Sequence, residues 1–332
     1  MPSEAYMELC SRLMVPDSAN LARIWEMLCD PTDARLLLAM PGTADELAER
    51  TGLSPEEVKR RLENLFVKGV VFESVKPHGT VYRMPRHPIQ FHDASVQWPD
   101  ADRAFYEAWK AFMEQDFPAM LLMVLSSGMP AFMRVVPSSG TLEGAEGTLA
   151  HEDIERMIGQ AKDLAVCRCP CRLTERNCDS TVEVCIQIDK GARYNIKRGT
   201  GRRIDREEAL RILRNSEEAG LVHFTDNRAG LGSFVCNCCT CCCQMLRPYM
   251  QSPELAGVLA PSRYRAEVDT GMCTLDGACV DICPVGAVSI EQEQDAASVD
   301  AEVCIGCGLC VTACGFDAMT LREIRPPDFI PA

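Results

Sequence analysis

The residues best equipped for chemistry in this chain are its cysteines, 20 among 332 residues. Near the C-terminus, Cys304-Ile-Gly-Cys307-Gly-Leu-Cys310-Val-Thr-Ala-Cys314 sets four thiols in one short run. Upstream, Cys273-Thr-Leu-Asp276-Gly-Ala-Cys279-Val-Asp-Ile-Cys283-Pro284 repeats that run with aspartate in the second place. C-x2-C-x2-C can place thiolates on three irons of a cubane from one tight loop, the fourth iron being reached from the other run. Glycines at 277, 306 and 308 allow backbone N–H groups close to the cluster sulfurs. The competing chemistry is a zinc ribbon. Structural zinc takes two separated pairs of ligands, not two interleaved runs of three and four.

From Tyr264 to Glu323 the pattern resembles the bacterial two-cluster ferredoxins. The resemblance implies single-electron transfer and a crossed-over ligand set. Cys304, Cys307 and Cys310 would hold one cluster with Cys283 as its fourth ligand. Cys273, Cys279 and Cys314 would hold the other, with Asp276 in the fourth position. Carboxylate is a harder ligand than thiolate, so three forms stay open there: an aspartate-ligated [4Fe–4S] cluster, a [3Fe–4S] cluster, or a cubane with one iron open to water. Gly315 stands where many relatives carry proline.

Eleven further cysteines lie in the middle of the chain. Cys167, Cys169 and Cys171 follow a predicted helix over Glu152 to Leu164, and Cys178 and Cys185 come next. Some fifty residues on stands Cys236-Asn-Cys238-Cys239-Thr-Cys241-Cys242-Cys243. In extended chain, adjacent side chains point to opposite sides, so these thiols can serve two metal centres or one larger iron–sulfur assembly. At least one further cluster is expected, with Cys169, Cys171, Cys236 and Cys238 among its ligands. The alternative is that part of the set is merely buried as small hydrophobes, as is expected of Cys10 and Cys29. Between the two groups, Lys190 to Arg214 carries nine basic and three acidic residues. These either form an anion site or offset cluster charge and acidic neighbours; the second is preferred. No dinucleotide fingerprint or P-loop is present, so hydride chemistry would belong to a partner.

The elements that must position these residues read as three modules. Asn20 to Leu38 is a helix interrupted near Pro31. Thr43 to Gly52 is a short helix, and Ser54-Pro55 caps a third whose Val58, Leu62, Leu65 and Phe66 recur at helical spacing. Strands over 70–75 and 80–84 follow. Helix, turn, helix, hairpin resembles the winged-helix family. Lys59, Arg60 and Arg61 lie on the would-be recognition helix, yet Asn20 to Ile89 carries ten basic and ten acidic residues, so protein docking or self-association is preferred over DNA. Pro85 to Asp100 is read as a linker, and His78, His87 and His92 are too scattered for a metal site. Phe117 to Val136 is the most apolar stretch but is broken by Pro118, Gly128, Pro130 and Arg134. A spanning helix needs about 20 unbroken apolar residues, so a buried helical hairpin is expected, with membrane contact as the alternative. Asp205 caps a helix that Gly220 stops.

The expected architecture is α+β and multidomain: a winged helix over 1–90, a linker and helical hairpin over 91–136, a cysteine-rich iron–sulfur domain over 137–260, and a two-cluster ferredoxin-like domain over 261–332. The net charge of −14 argues against nucleic acid as the main partner. Clustered thiols in a chain this long point to a reducing, anaerobic cytoplasm. Met1-Pro2-Ser3-Glu4 lacks the opening of a signal peptide. The function expected is electron transfer through several clusters to a redox partner protein or enzyme. A reductase with an open-iron central cluster and a redox-sensing transcription regulator are the alternatives.

Overall fold

A computed structural model of the chain describes residues 4–143, 147–291 and 295–332. Residues 1–3, on which the reading of the N-terminus mostly rests, lie outside the described residues. The chain forms two compact units, Met1–Met123 with Pro170–Arg176, and Val124–Cys169 with Asn177–Ala332. Both helices and strands are well represented, as an α+β chain requires.

The first unit opens with α1 (Glu4–Arg12), α2 (Ala19–Leu28), α3 (Pro31–Leu38), α4 (Ala44–Thr51) and α5 (Pro55–Val67). The interruption near Pro31 is a full break. Asp30 caps α3, accepting from the amides of Thr32 and Asp33, and proline takes the first helical position. Thr43 and Glu46 form a capping box on α4, and Gly52 ends it in the left-handed conformation, φ 70°. The hairpin follows as β1 (Phe72–Lys76) and β2 (Gly79–Arg83), paired from Phe72↔Arg83 to Lys76↔Gly79.

The segment read as a linker is instead core. It contains α6 (Pro88–Ser95), whose Phe91 stacks on Trp25 at 4.0 Å and meets Trp109 edge-on at 5.0 Å. Trp109 lies on α7 (Arg103–Gln115) and donates its indole N–H to Ser95. His92 is buried, its Nε2 2.8 Å from the Thr174 hydroxyl and its Nδ1 2.9 Å from Asp93. Proline at the helix start and polar residues at the surface mimicked a linker in the sequence. The spacing of Phe91, Ala94 and Ser95 buries one helical face.

Over Phe117 to Val136, where a helical hairpin is expected, the structure has one helix and one strand. The first half is α8 (Phe117–Ser126), and the second is a strand, β3 (Met133–Val136). Gly128, at φ 75°, and Pro130 end the helix. Val135 and Val136 then find ladder partners that a lone helix could not match. No helix among the described residues is long and apolar enough to cross a membrane.

The remaining elements are α9 (Ile154–Gln160), β4 (Leu164–Arg168), α10 (Pro170–Glu175), β5 (Glu183–Ile188), α11 (Lys190–Arg198), β6 (Gly201–Arg203), α12 (Arg206–Glu218), β7 (Val222–Asp226), β8 (Phe234–Cys238), α13 (Leu246–Gln251) and β9 (Leu259–Ala260). Of these α10 belongs to the first unit. In the second, a seven-stranded sheet runs β6-β4-β5-β8-β7-β3-β9. It is antiparallel throughout except for the β3–β9 pair. The predicted helix over Glu152 to Leu164 is shorter than expected, because Leu164 starts a strand that pairs on both sides. Leu164, Val166, Ile186, Ile188 and Val235 on one sheet face join Ile154, Met157 and Ile158 of α9 and Ala209 and Leu213 of α12 in one apolar core. Asp205 caps α12, and Gly220 follows it at φ 69°.

The C-terminal elements are β10 (Tyr264–Val268), α14 (Ala278–Asp281), β11 (Val288–Ser289), β12 (Ser298–Val299), α15 (Leu309–Ala313) and β13 (Met319–Glu323). Strand, cysteine loop, short helix and strand occur twice. The outer strands β10 and β13 pair antiparallel, as do β11 and β12.

Candidate metal centres

The two C-terminal loops carry matching backbones. Gly277 and Gly308 begin the short helices at φ 81° and 80°. Leu275 and Gly306 occupy the equivalent place, at φ 60° and 67°. Only the second must be glycine, since a Cβ on Gly306 would fall 2.1 Å from the Tyr264 carbonyl oxygen. The crossing between the halves brings Cys283 into the electrostatic surroundings of Cys307 and Cys310, together with Cys304. These four cysteines line a cavity of about 310 Å³, its open mouth included. The Ala287 amide donates to Cys283 Sγ at 3.2 Å, and the Ala297 amide to Cys273 Sγ at 3.4 Å. Hydrogen bonds to sulfur stabilise thiolate and tune a cluster. A cavity walled by four thiols and supplied with such donors fits an iron–sulfur cluster. Burial and neighbouring thiols push the Cys307 pKa up to about 12 and raise that of Cys310. Positive metal charge is what makes thiolates favourable in such a place.

Cys273, Cys314 and Asp276 surround Cys279 in the same way. Asp276 is exposed, and its carboxylate accepts from the Ala278 amide at 3.2 Å. It stands where Cys307 stands in the other half, but Cys307 is buried.

The central cysteines sort by strand period. On β4, β5 and β8, Cys167, Cys185, Cys236 and Cys238 share the face opposite the apolar core, Cys167 lying directly across from Cys185. Gly201 on β6 faces Cys167, and a Cβ there would come within 2.8 Å of its sulfur. Cys236 is in hydrogen-bond reach of both Cys185 and Cys238, and Cys238 also of Cys243. Thiol neighbours and burial raise the pKa of Cys185 and of Cys238 far above the ordinary thiol range. Burial takes Cys167 to about 12, with Arg198 opposing. Cys169 contributes to the field at Cys185.

A second group forms where β8 ends. The sulfurs of Cys178, Cys239, Cys241 and Cys242 all lie within 4.8 Å of one another. Cys178 is 3.8 Å from both Cys239 and Cys242, and Cys241 is 3.8 Å from Cys242. Burial opposes ionisation of Cys178, but the Ser180 hydroxyl and amide donate to it and carry its pKa down to about 6. Burial and the Cys178 and Cys239 sulfurs lift Cys241 to about 11. Thus Cys236 and Cys238 come together with Cys185 and Cys243, with Cys169 close by. Cys171 lies on α10 in the first unit. Cys10 and Cys29 are buried, and burial raises both pKa values.

Between Cys236 and Cys238, Asn237 points the other way. It bonds His223 at 2.6 Å, and His223 bonds Glu217 of α12 at 2.9 Å. Glu217 accepts from the Ser139 amide. This buried chain was not singled out in the sequence; its signal is the C-N-C spelling, which turns one polar side chain inward between two thiols. Part of the basic segment pairs with nearby acids. Arg193 and Arg203 both meet Asp163 at 2.7 Å, and Arg202 meets Glu208 at 2.8 Å.

Residues 265–315 match the 4Fe-4S dicluster domain family. A ferredoxin-type domain therefore lies near the C-terminus, and with the cysteine-rich regions it supports an iron–sulfur electron-transfer role. No curated protein and no solved structure matches the chain.

Proposed function

We propose that the chain is a multi-cluster redox subunit that passes single electrons between its clusters and a partner protein or enzyme. The observation that carries this reading is the repeated, crossed cysteine loop. One set is Cys283, Cys304, Cys307 and Cys310, and the other is Cys273, Cys279 and Cys314 with Asp276 in the fourth place. A third cluster is assigned to the sheet face of Cys185, Cys236, Cys238 and Cys243, whose sulfurs adjoin in series without gathering as tightly as ligands of a single ion. When bound, such clusters supply one-electron oxidation and reduction. The chain's residues fix the cluster positions, donate N–H groups to sulfur and exclude water. The first unit, with its helix, turn, helix and hairpin, is proposed to be a winged helix that docks the partner or a second copy of the chain. The acidic segment Ser262 to Arg325, with four basic and eleven acidic residues, favours a basic redox partner. A reducing cytoplasm suits this much free thiol.

The test is iron and acid-labile sulfide quantitation with EPR on anaerobically prepared full-length protein, before and after dithionite. At least two clusters that take up an electron are expected. A preparation with zinc and no iron would sink the proposal.

A further inference from the structure

We propose that Cys178, Cys239, Cys241 and Cys242 hold a single tetrahedral metal ion, zinc or iron, and not an iron–sulfur cluster. Four thiolates on one ion, with bonds of about 2.3 Å at tetrahedral angles, stand about 3.8 Å apart. Three of the sulfur pairs here stand at 3.8 Å, and all four sulfurs lie within 4.8 Å of one another. Cys241 is also in hydrogen-bond reach of Cys178 and Cys239. A cubane assigns its thiolates to four separate irons, so its four ligands do not all stand this close to one another. The C-terminal cysteines give the internal comparison: among the described residues, no three of Cys283, Cys304, Cys307 and Cys310 approach one another so closely.

The surroundings are built for thiolate. The Asn177 amide donates to Cys242 Sγ, and the Ser180 amide and hydroxyl donate to Cys178 Sγ. The Asn177 side chain donates to the Cys241 carbonyl at 3.0 Å, tying the loop of Cys178 to the turn after β8. Donors that orient and charge-balance the ligands are the usual support of a metal site. Four thiolates close the coordination shell, which leaves no position for substrate. Tetrahedral tetrathiolate suits zinc or iron among the common ions. The ion would pin the Cys178 loop to β8, the strand that carries Cys236 and Cys238.

The experiment compares full-length wild type with the Cys178→Ser, Cys241→Ser double variant, both prepared anaerobically, by elemental analysis and acid-labile sulfide. Loss of one equivalent of zinc or iron with no loss of sulfide is expected. Loss of several irons with matching sulfide, or loss of no metal, would overturn the proposal. Should the variant fail to fold, native mass spectrometry of the wild type answers the same question. A single-ion mass increment beside the cluster increments supports the site, and cluster increments alone refute it. The mass of that increment and the visible spectrum tell colourless zinc from coloured mononuclear iron. Because the readout is one ion and not the clusters, its failure leaves the electron-transfer reading standing, and the reverse holds.

Discussion

Ser138 donates both its amide and its hydroxyl to the carbonyl of Cys307, at 2.9 and 3.1 Å. One residue on, the Ser139 amide donates to Glu217, and Glu217 leads through His223 to Asn237. The loop carrying Cys307 and the strand carrying Cys236 and Cys238 are therefore joined by a buried polar chain. Arg263, fully buried, adds an ion pair from the start of the ferredoxin-type domain back to Glu152 at 3.1 Å. Unpartnered members of such networks are costly, so each link holds the others in place.

Glu217 sets the pH response of that chain. Burial raises its pKa, but the His223 ring and the Ser139 amide outweigh this and hold it below the ordinary glutamate value of 4.5. A carboxylate whose pKa falls on folding adds stability above its unfolded value. That stability is lost as the pH drops through the folded value. Glu217→Gln is expected to cost about 1–3 kcal/mol at pH 7. The difference in unfolding temperature between variant and wild type should shrink as the pH is lowered through 4.5. Taking the difference cancels acid loss of clusters common to both chains. A difference that stays constant down to pH 3.5 would show that Glu217 is not ionised in this chain.

Gly306→Ala is expected to abolish one cluster. The new methyl would sit 2.1 Å from the Tyr264 carbonyl oxygen, at a φ of 67° that L-residues seldom adopt. The loop between Cys304 and Cys307 must then move, and about half the iron of the C-terminal domain should be lost. Leu275→Gly, at the equivalent site of the other loop, should keep full iron. Equal iron in both variants would mean that the Gly306 turn does not govern ligation.

Much of this was legible because cysteine spacing and strand period are local. The runs at Cys273 to Cys283 and Cys304 to Cys314 spell their loops directly, and helix caps such as Asp205 and Ser54 mark their own helices. The grouping of the central thiols was not legible. Cys178 meets Cys239 and Cys242 across more than sixty residues, and that meeting depends on β5 pairing with β8. Strand pairing at such a distance leaves no local trace. Met133 to Val136 was misread for the same reason, because its valines become a strand only when β7 lies beside them.

Asp276→Cys is expected to convert its cluster into an all-thiolate cubane with a changed reduction potential. The carboxylate occupies the position that Cys307 fills in the other half, and ligand type is one of the levers on potential. EPR and a redox titration of the reduced protein read the change. Identical spectra and potentials in variant and parent would place Asp276 away from the iron, consistent with a carboxylate that merely caps the Ala278 amide.

The first unit is expected to engage protein and not to read DNA. Of the three basic residues on α5, Lys59 and Arg60 are exposed, but Arg61 is committed to Asp30 at 2.9 Å, Asp33 at 2.7 Å and Glu57 at 3.0 Å. Two exposed cations on a helix that also carries Glu56, Glu57 and Glu63 offer a phosphate backbone little. Specific DNA binding leans on several phosphate contacts. The chain as a whole carries −14, and an acidic C-terminal domain is expected to repel a duplex. Selection of the intact, cluster-loaded protein against a random duplex pool at physiological salt should enrich no sequence. Association with its redox partner should weaken as salt rises from 50 to 500 mM, since exposed charges are screened over about 10 Å at 0.1 M. Enrichment of a defined sequence, lost on replacing Lys59 and Arg60 with alanine, would reverse the assignment and make the chain a redox-responsive regulator.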